Sequence, residues 1–205
     1  SQQIANSIRA DTNNGYLHRT PSGAGNRATW TFSTWLKKSQ MSDDVKIIYC
    51  AGSGGDQDGF YRLYYYQETF IVSSANANFL TSTYKFRDPS AWYHVVWKQG
   101  SGATTVYVNG EQIATASVSG NTAVNNNVVQ GISTNTYGGS PNNSDHIHGY
   151  LAETIMIDGT ALDPDSFGEF KAGNIWIPKD TSSLSVGTNG FRLTYSNASD
   201  LGEDS

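Results

Sequence analysis

The stretch SAWYHVVWKQGSGATTVYVNGEQI, residues 90–113, decides the class of fold. Its first half alternates with a period of two, so that Trp92, His94 and Val96 lie on one face of a β-strand and the residues between them lie on the other. Both faces are largely apolar, which is typical of a central strand that is covered on both sides. We therefore predict that His94 lies within a packed layer and that its role is structural.

The same stretch contains a turn. Asn109 and Gly110 tolerate the positive φ angles that both central positions of a type I′ turn require, so this pair predicts a tight β-hairpin. Asp158 and Gly159 form a second pair of the same kind. We predict a hairpin turn at each of the two places.

Short apolar or alternating runs recur along the rest of the chain, with turn residues between them. They are rich in Val, Ile, Thr, Tyr, Phe and Trp, which favour strands over helices. The runs occupy residues 28–38, 45–52, 59–67, 69–74, 92–99, 104–110, 126–133, 149–158 and 189–196. Many short strands at fairly even spacing predict an all-β protein, either a sandwich or a barrel.

One segment argues for a helix. In LDPDSFGEF, residues 162–170, Asp163 is a suitable N-cap and Pro164 stands where the first helical position accepts proline. The acidic residues of the segment complement the positive end of a helix dipole. We predict one short helix of one or two turns near residues 163–170.

Length and cysteine content indicate the domain organisation. The chain has 205 residues and a single cysteine, Cys50, which excludes an internal disulfide framework. A chain of this length can bury a sizeable core, and all-β folds commonly reach it as one unit. We predict a single domain over residues 1–205. Because the sequence begins without Met, we expect it to be part of a longer polypeptide.

Charge and hydropathy argue against two classes of partner. The formal net charge is −5, only 15% of the residues are charged, and no basic stripe is present, which disfavours nucleic acid. No apolar run approaches the ~20 residues that span a bilayer, and the first residues lack the pattern of a signal peptide. We expect neither nucleic-acid binding nor membrane insertion.

The candidate catalytic residues do not form a recognisable set. A catalytic histidine needs a nucleophile and an orienting partner, and the sequence around His94 displays neither. Glycoside cleavage needs two carboxylates that flank one cleft. Glu153 and Asp158 lie on one predicted strand, but their odd spacing directs them to opposite faces. We predict no catalytic residue and no enzymatic activity.

Two motifs resemble metal sites in part. His146 and His148 are two residues apart and would share a face of a strand, but two imidazoles do not complete a site. The acidic turn DQDG, residues 56–59, begins like a calcium loop but lacks the later oxygen ligands and the bidentate Glu of an EF-hand. We predict no cofactor and no metal. Calcium binding by the acidic turn is the one alternative that the sequence leaves open.

An aromatic row follows the acidic turn. Phe60, Arg62, Tyr64 and Tyr66 share one face of a predicted strand. Aromatic rows of this kind stack on sugar rings in some proteins and pack sheets in others, because tyrosine combines a large apolar area with a polar tip. We favour the packing interpretation.

Several longer segments together carry a resemblance to a known family. They are YLHRTPSGAGNRATWTFSTWLKKS (16–39), DPSAWYHVVW (88–97), VYVNGEQI (106–113), GYLAETIMIDGTALDPDSFGEF (149–170), IWIPKD (175–180) and GTNGFRLTYSNASDLGEDS (187–205). They resemble the concanavalin A-like, laminin-G-like lectin-fold modules of tailed-bacteriophage structural proteins. WYHVV followed by VYVNG is typical of the wider superfamily, whereas the 149–170 block and the closing LGEDS point to the phage branch.

The resemblance implies a two-sheet antiparallel β-sandwich in jelly-roll order, with loops at one rim free to bind. The Glu-x-Asp-x-x-Glu strand motif of glycosidases with this superfold is absent. In a glycan-binding module we expect the site in the loop STNTYGGSPNNSDH, residues 133–146, at Tyr137, Asn142, Asn143 and Asp145. Amide and carboxylate groups direct hydrogen bonds to sugar hydroxyls, and a tyrosine ring offers a flat apolar partner.

The resemblance favours a non-enzymatic structural or adhesion module of a phage appendage, a tail fibre or head fibre, located on the virion. Its expected partners are other virion proteins, host-surface glycan and copies of itself, with a trimer favoured, because linked weak sites gain ~10²–10⁴ in avidity. A polysaccharide-degrading glycoside hydrolase-like domain is one alternative. A calcium-dependent extracellular adhesion module is the other, and the unpaired Cys50 disfavours it.

Overall fold

The computed structural model describes residues 3–10, 15–39, 43–142 and 144–204. Its strands, in chain order, are β1 (Ile8–Ala10), β2 (Leu17–Arg19), β3 (Trp30–Lys38), β4 (Val45–Gly52), β5 (Phe60–Tyr66), β6 (Thr69–Ser73), β7 (Asn78–Thr81), β8 (Tyr93–Gly100), β9 (Ala103–Val108), β10 (Glu111–Ser117), β11 (Gln130–Ile132), β12 (Gly149–Asp158), β13 (Gly168–Lys171), β14 (Ile175–Pro178) and β15 (Phe191–Leu193). One turn of 3-10 helix, Pro164–Ser166, is the only helix within these ranges.

The strands form two large sheets and one small hairpin. The seven-stranded sheet has the order β1-β12-β3-β8-β9-β10, with β15 also paired to β12. The six-stranded sheet has the order β2-β11-β4-β5-β6-β7, and β13 pairs only with β14. All pairings are antiparallel. The predicted all-β, two-sheet antiparallel sandwich is confirmed.

Strand β8 is central, as its alternation predicted. It pairs with β3 on one side and β9 on the other. Tyr93, Val95 and Trp97 point into the main core between the sheets. Val96 joins a second apolar cluster on the outer face, and His94 lies there against Phe167. Both faces of the strand are therefore covered.

Aromatic rings fill the main core. Trp97 meets Trp30 edge-on, with 4.6 Å between ring centroids, and lies 4.9 Å from the ring of Tyr61. A buried indole N–H needs a partner. Trp97 Nε1 donates to Thr104 Oγ1 at 2.7 Å, and Trp30 Nε1 donates to Thr122 Oγ1 at 3.0 Å. The core thus buries its largest rings without leaving these donors unpaired.

One of the two predicted hairpin turns is confirmed. Asn109 and Gly110 have φ values of 51° and 83° and join β9 to β10. The side chain of Asn109 also accepts a hydrogen bond from the backbone N–H of His94 at 2.8 Å. The turn is therefore fixed to β8, the strand that pairs with β9.

The predicted hairpin at Asp158 and Gly159 is wrong. Strand β12 ends at Asp158, and of these two residues only Gly159 has a positive φ. The backbone N–H of Asp158 donates to Val186 O at 2.7 Å and that of Gly159 donates to Thr29 O at 3.1 Å. These contacts direct the chain away from the sheet, so no strand returns alongside β12 at this point.

The predicted short helix is confirmed in position and is a single turn. Asp163 precedes it with an extended backbone, but its side chain makes no capping hydrogen bond, so that part of the prediction is wrong. The carboxylate binds Lys98 instead. Residues 162–188 then fold over the outer face of the seven-stranded sheet, where Phe167 packs on Val96. No helix within the described ranges is long and apolar enough to cross a membrane.

Candidate functional site

The 133–146 loop lies on the outer face of the six-stranded sheet. Backbone hydrogen bonds fix its two limbs. Gly138 N donates to Ser53 O at 2.8 Å, and Ile47 N donates to Asp145 O at 2.8 Å. The loop is therefore held against β4 and against the turn that follows β4.

Cys50 lies beneath this loop and is fully buried. Its Sγ lies 3.1 Å from Thr136 Oγ1, and burial raises the pKa of the thiol to about 11. A nucleophilic cysteine needs a lowered pKa and access to solvent. Cys50 therefore anchors the loop and has no reactive thiolate.

Asn135 links the described members of the predicted site. Its side chain accepts from Tyr137 N at 3.0 Å and donates to Asp145 Oδ2 at 2.9 Å, and its carbonyl accepts from Asn142 N at 3.0 Å. The structure thus brings these three residues around one asparagine, while Asn143 lies outside the described residues. Sequence analysis missed Asn135, although an asparagine two residues before Tyr137 has the spacing of an Asx-turn.

Tyr137 is the part of the predicted site that faces solvent. Its side chain is 59% exposed, and its ring meets that of Phe60 at 5.5 Å and 89°. Asn142 Oδ1 instead accepts from the backbone N–H and the hydroxyl of Ser144, at 3.1 and 2.6 Å. Asn142 Oδ1 and Asp145 Oδ2 therefore accept hydrogen bonds from within the loop, and these bonds shape the loop that presents Tyr137.

The aromatic row of β5 lies under and beside this loop. Phe60 and Tyr64 are 1% and 6% exposed, so the packing interpretation is confirmed for these two rings. Arg62 lies across them, with its Cζ 4.7 Å from the ring centroid of Tyr64 and 5.4 Å from that of Phe60. Its Nε donates to Ser73 Oγ at 3.0 Å. A guanidinium thus forms the outer layer of this face, beside Tyr137.

The acidic turn at residues 56–59 packs close to the loop. Asp56 Oδ1 accepts from Asn76 Nδ2 at 2.9 Å, and Asp56 O accepts from the backbone N–H groups of Gly59 and Phe60, at 3.0 and 2.9 Å. These hydrogen bonds close the segment into a hairpin turn. Across the described ranges, no cluster of three or more His, Cys, Asp or Glu could hold a metal ion.

His146 is committed to packing. Its ring stacks on Tyr16, with centroids 5.4 Å apart and planes 4° apart, and its Nδ1 lies 2.6 Å from Ser133 O. His146 is 4% exposed, whereas His148 is more exposed and lies outside any strand. The two rings therefore do not form the shared strand face that their spacing suggested.

On the opposite sheet, His94 is held by two aromatic rings and a hydroxyl. Trp35 stacks on it with 4.9 Å between centroids, and Trp176 lies nearly coplanar with it and donates from Nε1 to His94 Nδ1 at 3.0 Å. Ser33 Oγ lies 2.8 Å from His94 Nε2. The ring is 1% exposed, and burial lowers the pKa of His94 to about 3.

The tautomer of His94 follows from its partners. An indole N–H can only donate, so Nδ1 accepts and the neutral ring carries its proton on Nε2. Nε2 therefore donates to Ser33 Oγ and cannot take the proton of that hydroxyl. A serine nucleophile needs the reverse arrangement, with a histidine nitrogen as acceptor. The Ser33–His94 pair has the distance of a catalytic pair but the opposite polarity.

Glu153 reaches the same small cavity as Ser33 and His94 from a bulge in β12. It has a φ of 45°, and its Oε2 lies 3.6 Å from Arg192 Nη2 and 3.4 Å from Thr181 Oγ1. Burial raises the pKa of Glu153, and the charge of Arg192 opposes that rise. The carboxylate is therefore paired with an arginine and not with the histidine.

Asp158 lies on the other face of β12 from Glu153, as the odd spacing predicted. Its Oδ1 accepts from Asn26 N at 2.7 Å and from Asn125 Nδ2 at 3.1 Å, and its Oδ2 accepts from Asn189 N at 2.9 Å. Each donor belongs to a different loop. The carboxylate therefore joins three loops at one end of the sandwich.

A groove of about 260 Å³ crosses the outer face of the seven-stranded sheet. Trp35 and Pro178 line it, together with Trp92, which is 37% exposed. Its polar side chains come from Asn6 and Ser7, on the segment that leads into β1. The groove therefore places an exposed aromatic ring, Trp92, beside a concave surface.

Comparison with solved structures identifies the fold. A native heptameric SAP-like pentraxin from Limulus polyphemus aligns with a TM-score of 0.56 and 20% identity, over 76% of each chain. The CBM40 of the Ruminococcus gnavus IT-sialidase, bound to α2,3-sialyllactose, aligns with a TM-score of 0.52 and 15% identity, over 78% of this chain and 94% of that one. At these identities the likeness concerns the fold alone.

A putative carbohydrate-binding protein from Bacteroides ovatus aligns with a TM-score of 0.54 and 19% identity, over 87% of this chain and 53% of that one. No curated protein sequence matches the chain. The family model described as the concanavalin A-like lectin/glucanases superfamily matches residues 11–165, which include every strand of the two large sheets except β1 and β15. The chain therefore belongs to the concanavalin A-like lectin/glucanases superfamily.

Proposed function

We propose that this chain is a non-catalytic glycan-binding module whose sugar contact is Tyr137, on the 133–146 loop. The observation that carries the proposal is a tyrosine ring, 59% exposed, on a loop that hydrogen bonds hold against the sheet. Sugar sites combine a flat apolar surface with a few directed polar groups. Two proteins with the same fold, from Ruminococcus gnavus and Bacteroides ovatus, are described as carbohydrate-binding, which supports the proposal.

The polar surroundings favour this loop over the groove on the other sheet. The loop carries amide, hydroxyl and carboxylate side chains within a few residues of Tyr137, and such groups can make hydrogen bonds beyond the ones that shape the loop. The groove beside Trp92 is apolar except for Asn6 and Ser7. Because a hydroxyl-rich ligand needs several directed hydrogen bonds, the loop is the better sugar site and the groove is its natural control.

A glycan array with three proteins tests the site. We expect the wild-type chain and the Trp92→Ala variant to bind the same glycans, and the Tyr137→Ala variant to lose most of that binding. Both variants remove an exposed aromatic ring, so the comparison controls for a general effect on folding. Loss of binding by Trp92→Ala alone would move the site to the groove, and an array with no bound glycan would refute the proposed function.

The proposal that the module is non-catalytic rests on its carboxylates and on His94. Glu153 is paired with Arg192, Asp158 joins loops on the opposite face, and His94 Nε2 donates to Ser33. We expect no product release from bacterial capsule, lipopolysaccharide or algal polysaccharide. Hydrolysis that disappears in Glu153→Gln or Asp158→Asn would support the glycoside hydrolase alternative.

We also propose that the module belongs to a phage appendage on the virion and acts there in several copies. The support is the resemblance of residues 149–170 and of the closing LGEDS to phage structural proteins. Weak single sites gain ~10²–10⁴ in avidity when linked, which a homo-oligomer, with a trimer favoured, would supply. Light scattering at high concentration tests the oligomer, and a monomer would remove the multivalent argument for this chain. Mass spectrometry of purified particles of the encoding phage tests the location.

A further inference from the structure

Arg62 is held in place on the outer face of the six-stranded sheet. The rings of Phe60 and Tyr64 support its guanidinium, and Ser73 Oγ accepts from its Nε at 3.0 Å. An arginine whose fork is already oriented loses little side-chain entropy when it binds a ligand. The side chain is therefore preorganised on three sides.

The two Nη groups of Arg62 are left without an acceptor among the described residues, and no carboxylate there forms an ion pair with Arg62. Two other arginines each form an ion pair. Arg87 pairs with Glu68, and Arg192 pairs with Glu153. A guanidinium that is fixed by aromatic rings but carries no counter-charge is suited to a planar anion from outside.

Arg62 and Tyr137 belong to one surface because both contact Phe60. The Tyr137 ring lies 5.5 Å from the Phe60 centroid, and Arg62 Cζ lies 5.4 Å from it. Asp145 lies on the same loop as Tyr137, and its Oδ2 accepts a hydrogen bond from Asn135 Nδ2. It makes no ion pair with Arg62. One ligand of one or two sugar rings can therefore reach both the tyrosine and the guanidinium.

We propose that this surface selects acidic glycans, with Arg62 receiving the carboxylate of a uronic or sialic acid residue while Tyr137 supports a sugar ring. The inference rests on the proposed glycan-binding function and specifies its ligand class. The formal net charge of the chain is −5, so attraction of an acidic sugar must come from a local cation rather than from the overall charge. A carboxylate forms two parallel hydrogen bonds with a guanidinium, which gives geometric specificity as well as binding energy.

Matched probes separate charge from shape. Binding of 3′-sialyllactose is compared with that of lactose, and binding of a glucuronic acid-terminated disaccharide is compared with that of its methyl ester. The wild-type chain is expected to bind each acid about tenfold or more tightly than its neutral counterpart, since hydrogen bonds to charged groups contribute more than neutral ones. The ester comparison uses only the wild-type protein and so does not depend on how any variant folds.

Three variants assign the preference to Arg62. Arg62→Gln is expected to bind the acid and its neutral counterpart equally, and Arg62→Lys is expected to keep part of the preference because it retains a charge but not the planar fork. Arg87→Gln removes the same charge from an arginine that is 66% exposed, and it is expected to keep the full preference. Melting temperatures of all variants accompany the binding data.

The outcomes are distinguishable. Equal wild-type affinity for acid and ester, or an acid preference that survives in Arg62→Gln, would overturn the inference. Binding of neutral glycans alone would leave the proposed function standing and remove the acidic ligand class. Absence of binding to any of the four probes and to a broader array would refute the proposed function itself.

Discussion

The outer faces of the two sheets carry the same kind of cluster with opposite consequences. On the seven-stranded sheet, two tryptophan rings and the Ser33 hydroxyl hold His94. On the six-stranded sheet, Phe60, Tyr64 and the hydroxyl of Ser73 hold Arg62. The histidine is 1% exposed and both of its nitrogens are bonded, whereas the arginine is half-buried and its Nη groups have no acceptor among the described residues.

The difference shows how burial and partners decide the role of a basic residue. The chain itself covers His94 with residues 162–188, so the ring is neutral and contributes to stability. On the other sheet the 133–146 loop reaches Phe60 through Tyr137, and Arg62 is half-buried with no carboxylate partner among the described residues. Mutations on the first face are expected to change stability, and those on the second to change binding.

Lowering the pH is expected to have the largest effect on the free energy of unfolding, because of the buried His94. Burial lowers its pKa to about 3, whereas an unfolded histidine titrates near ~6.5. Between these values the unfolded chain binds a proton that the folded chain excludes, so the free energy of unfolding falls as the pH is lowered. This residue contributes up to about 1.4 kcal/mol per pH unit, and its contribution is complete above about pH 6.5.

Urea unfolding of the wild-type chain and of His94→Gln, between about pH 7 and about pH 4, measures this term. The carboxylates contribute equally to both proteins, so the difference in slope belongs to His94. We expect the shallower slope in the variant. Parallel pH profiles would contradict a neutral, buried His94 and would weaken the contrast between the two faces.

Replacement of His94 by alanine at neutral pH is expected to have the next largest effect. It leaves the Trp176 indole N–H and the Ser33 hydroxyl without their partner, at a cost on the order of 1–3 kcal/mol. His94→Gln retains one donor and one acceptor and is expected to cost less. Thermal melts measure both. An unchanged melt, together with a lost activity, would show that His94 is functional and not structural.

Removal of the arginine cluster is expected to cost less stability. Arg62→Gln loses contacts with two rings and one hydrogen bond to Ser73. Exposed cation–π contacts contribute about 0.5–1 kcal/mol, so the loss is expected to be of that order. Urea unfolding of Arg62→Gln, measured in parallel with His94→Ala, checks that the arginine variant loses less stability than the histidine variant. A loss larger than that of His94→Ala would make Arg62 a structural residue like His94.

Tyr137→Ala is expected to have the smallest effect on stability. The ring is 59% exposed and its contact is the edge of Phe60. Surface substitutions of this kind usually stay within about 0.5 kcal/mol. The same variant is expected to lose most glycan binding. Of the variants compared, it should therefore show the largest loss of binding relative to its loss of stability. A marked fall in melting temperature would show that Tyr137 mainly holds the loop in place.

Local patterns predicted much of the fold. The alternation in residues 92–99 located the central strand and assigned the correct face to His94. The Asn109-Gly110 pair predicted its turn because the required φ values depend on those two residues alone. Asp158-Gly159 shows the limit, since backbone contacts with Val186 and Thr29, distant in sequence, override the same local preference.

The candidate site was less predictable for the same reason. Sequence analysis selected Tyr137 because it is an aromatic residue in a segment of turn formers, and its ring is 59% exposed, while its role in binding stays a prediction. Asn135, which joins Tyr137, Asn142 and Asp145, was not found. Its importance comes from three contacts made at once, and only one of them follows from sequence spacing.

The sequence by itself determined the all-β class, the central strand and the side-chain faces of β8 and β5, because alternation, turn propensity and residue type act between near neighbours. Only the tertiary structure decided that His94 is neutral and that Arg62 has no carboxylate partner among the described residues. The partners of His94 lie 61 and 82 residues away along the chain. Whether the Nη groups of Arg62 meet an acceptor depends on which segments cover each sheet, and within the described part of the chain they meet none. Protonation and counter-charge depend on burial and on distant groups, and those exist only once the two sheets and their covering segments have packed.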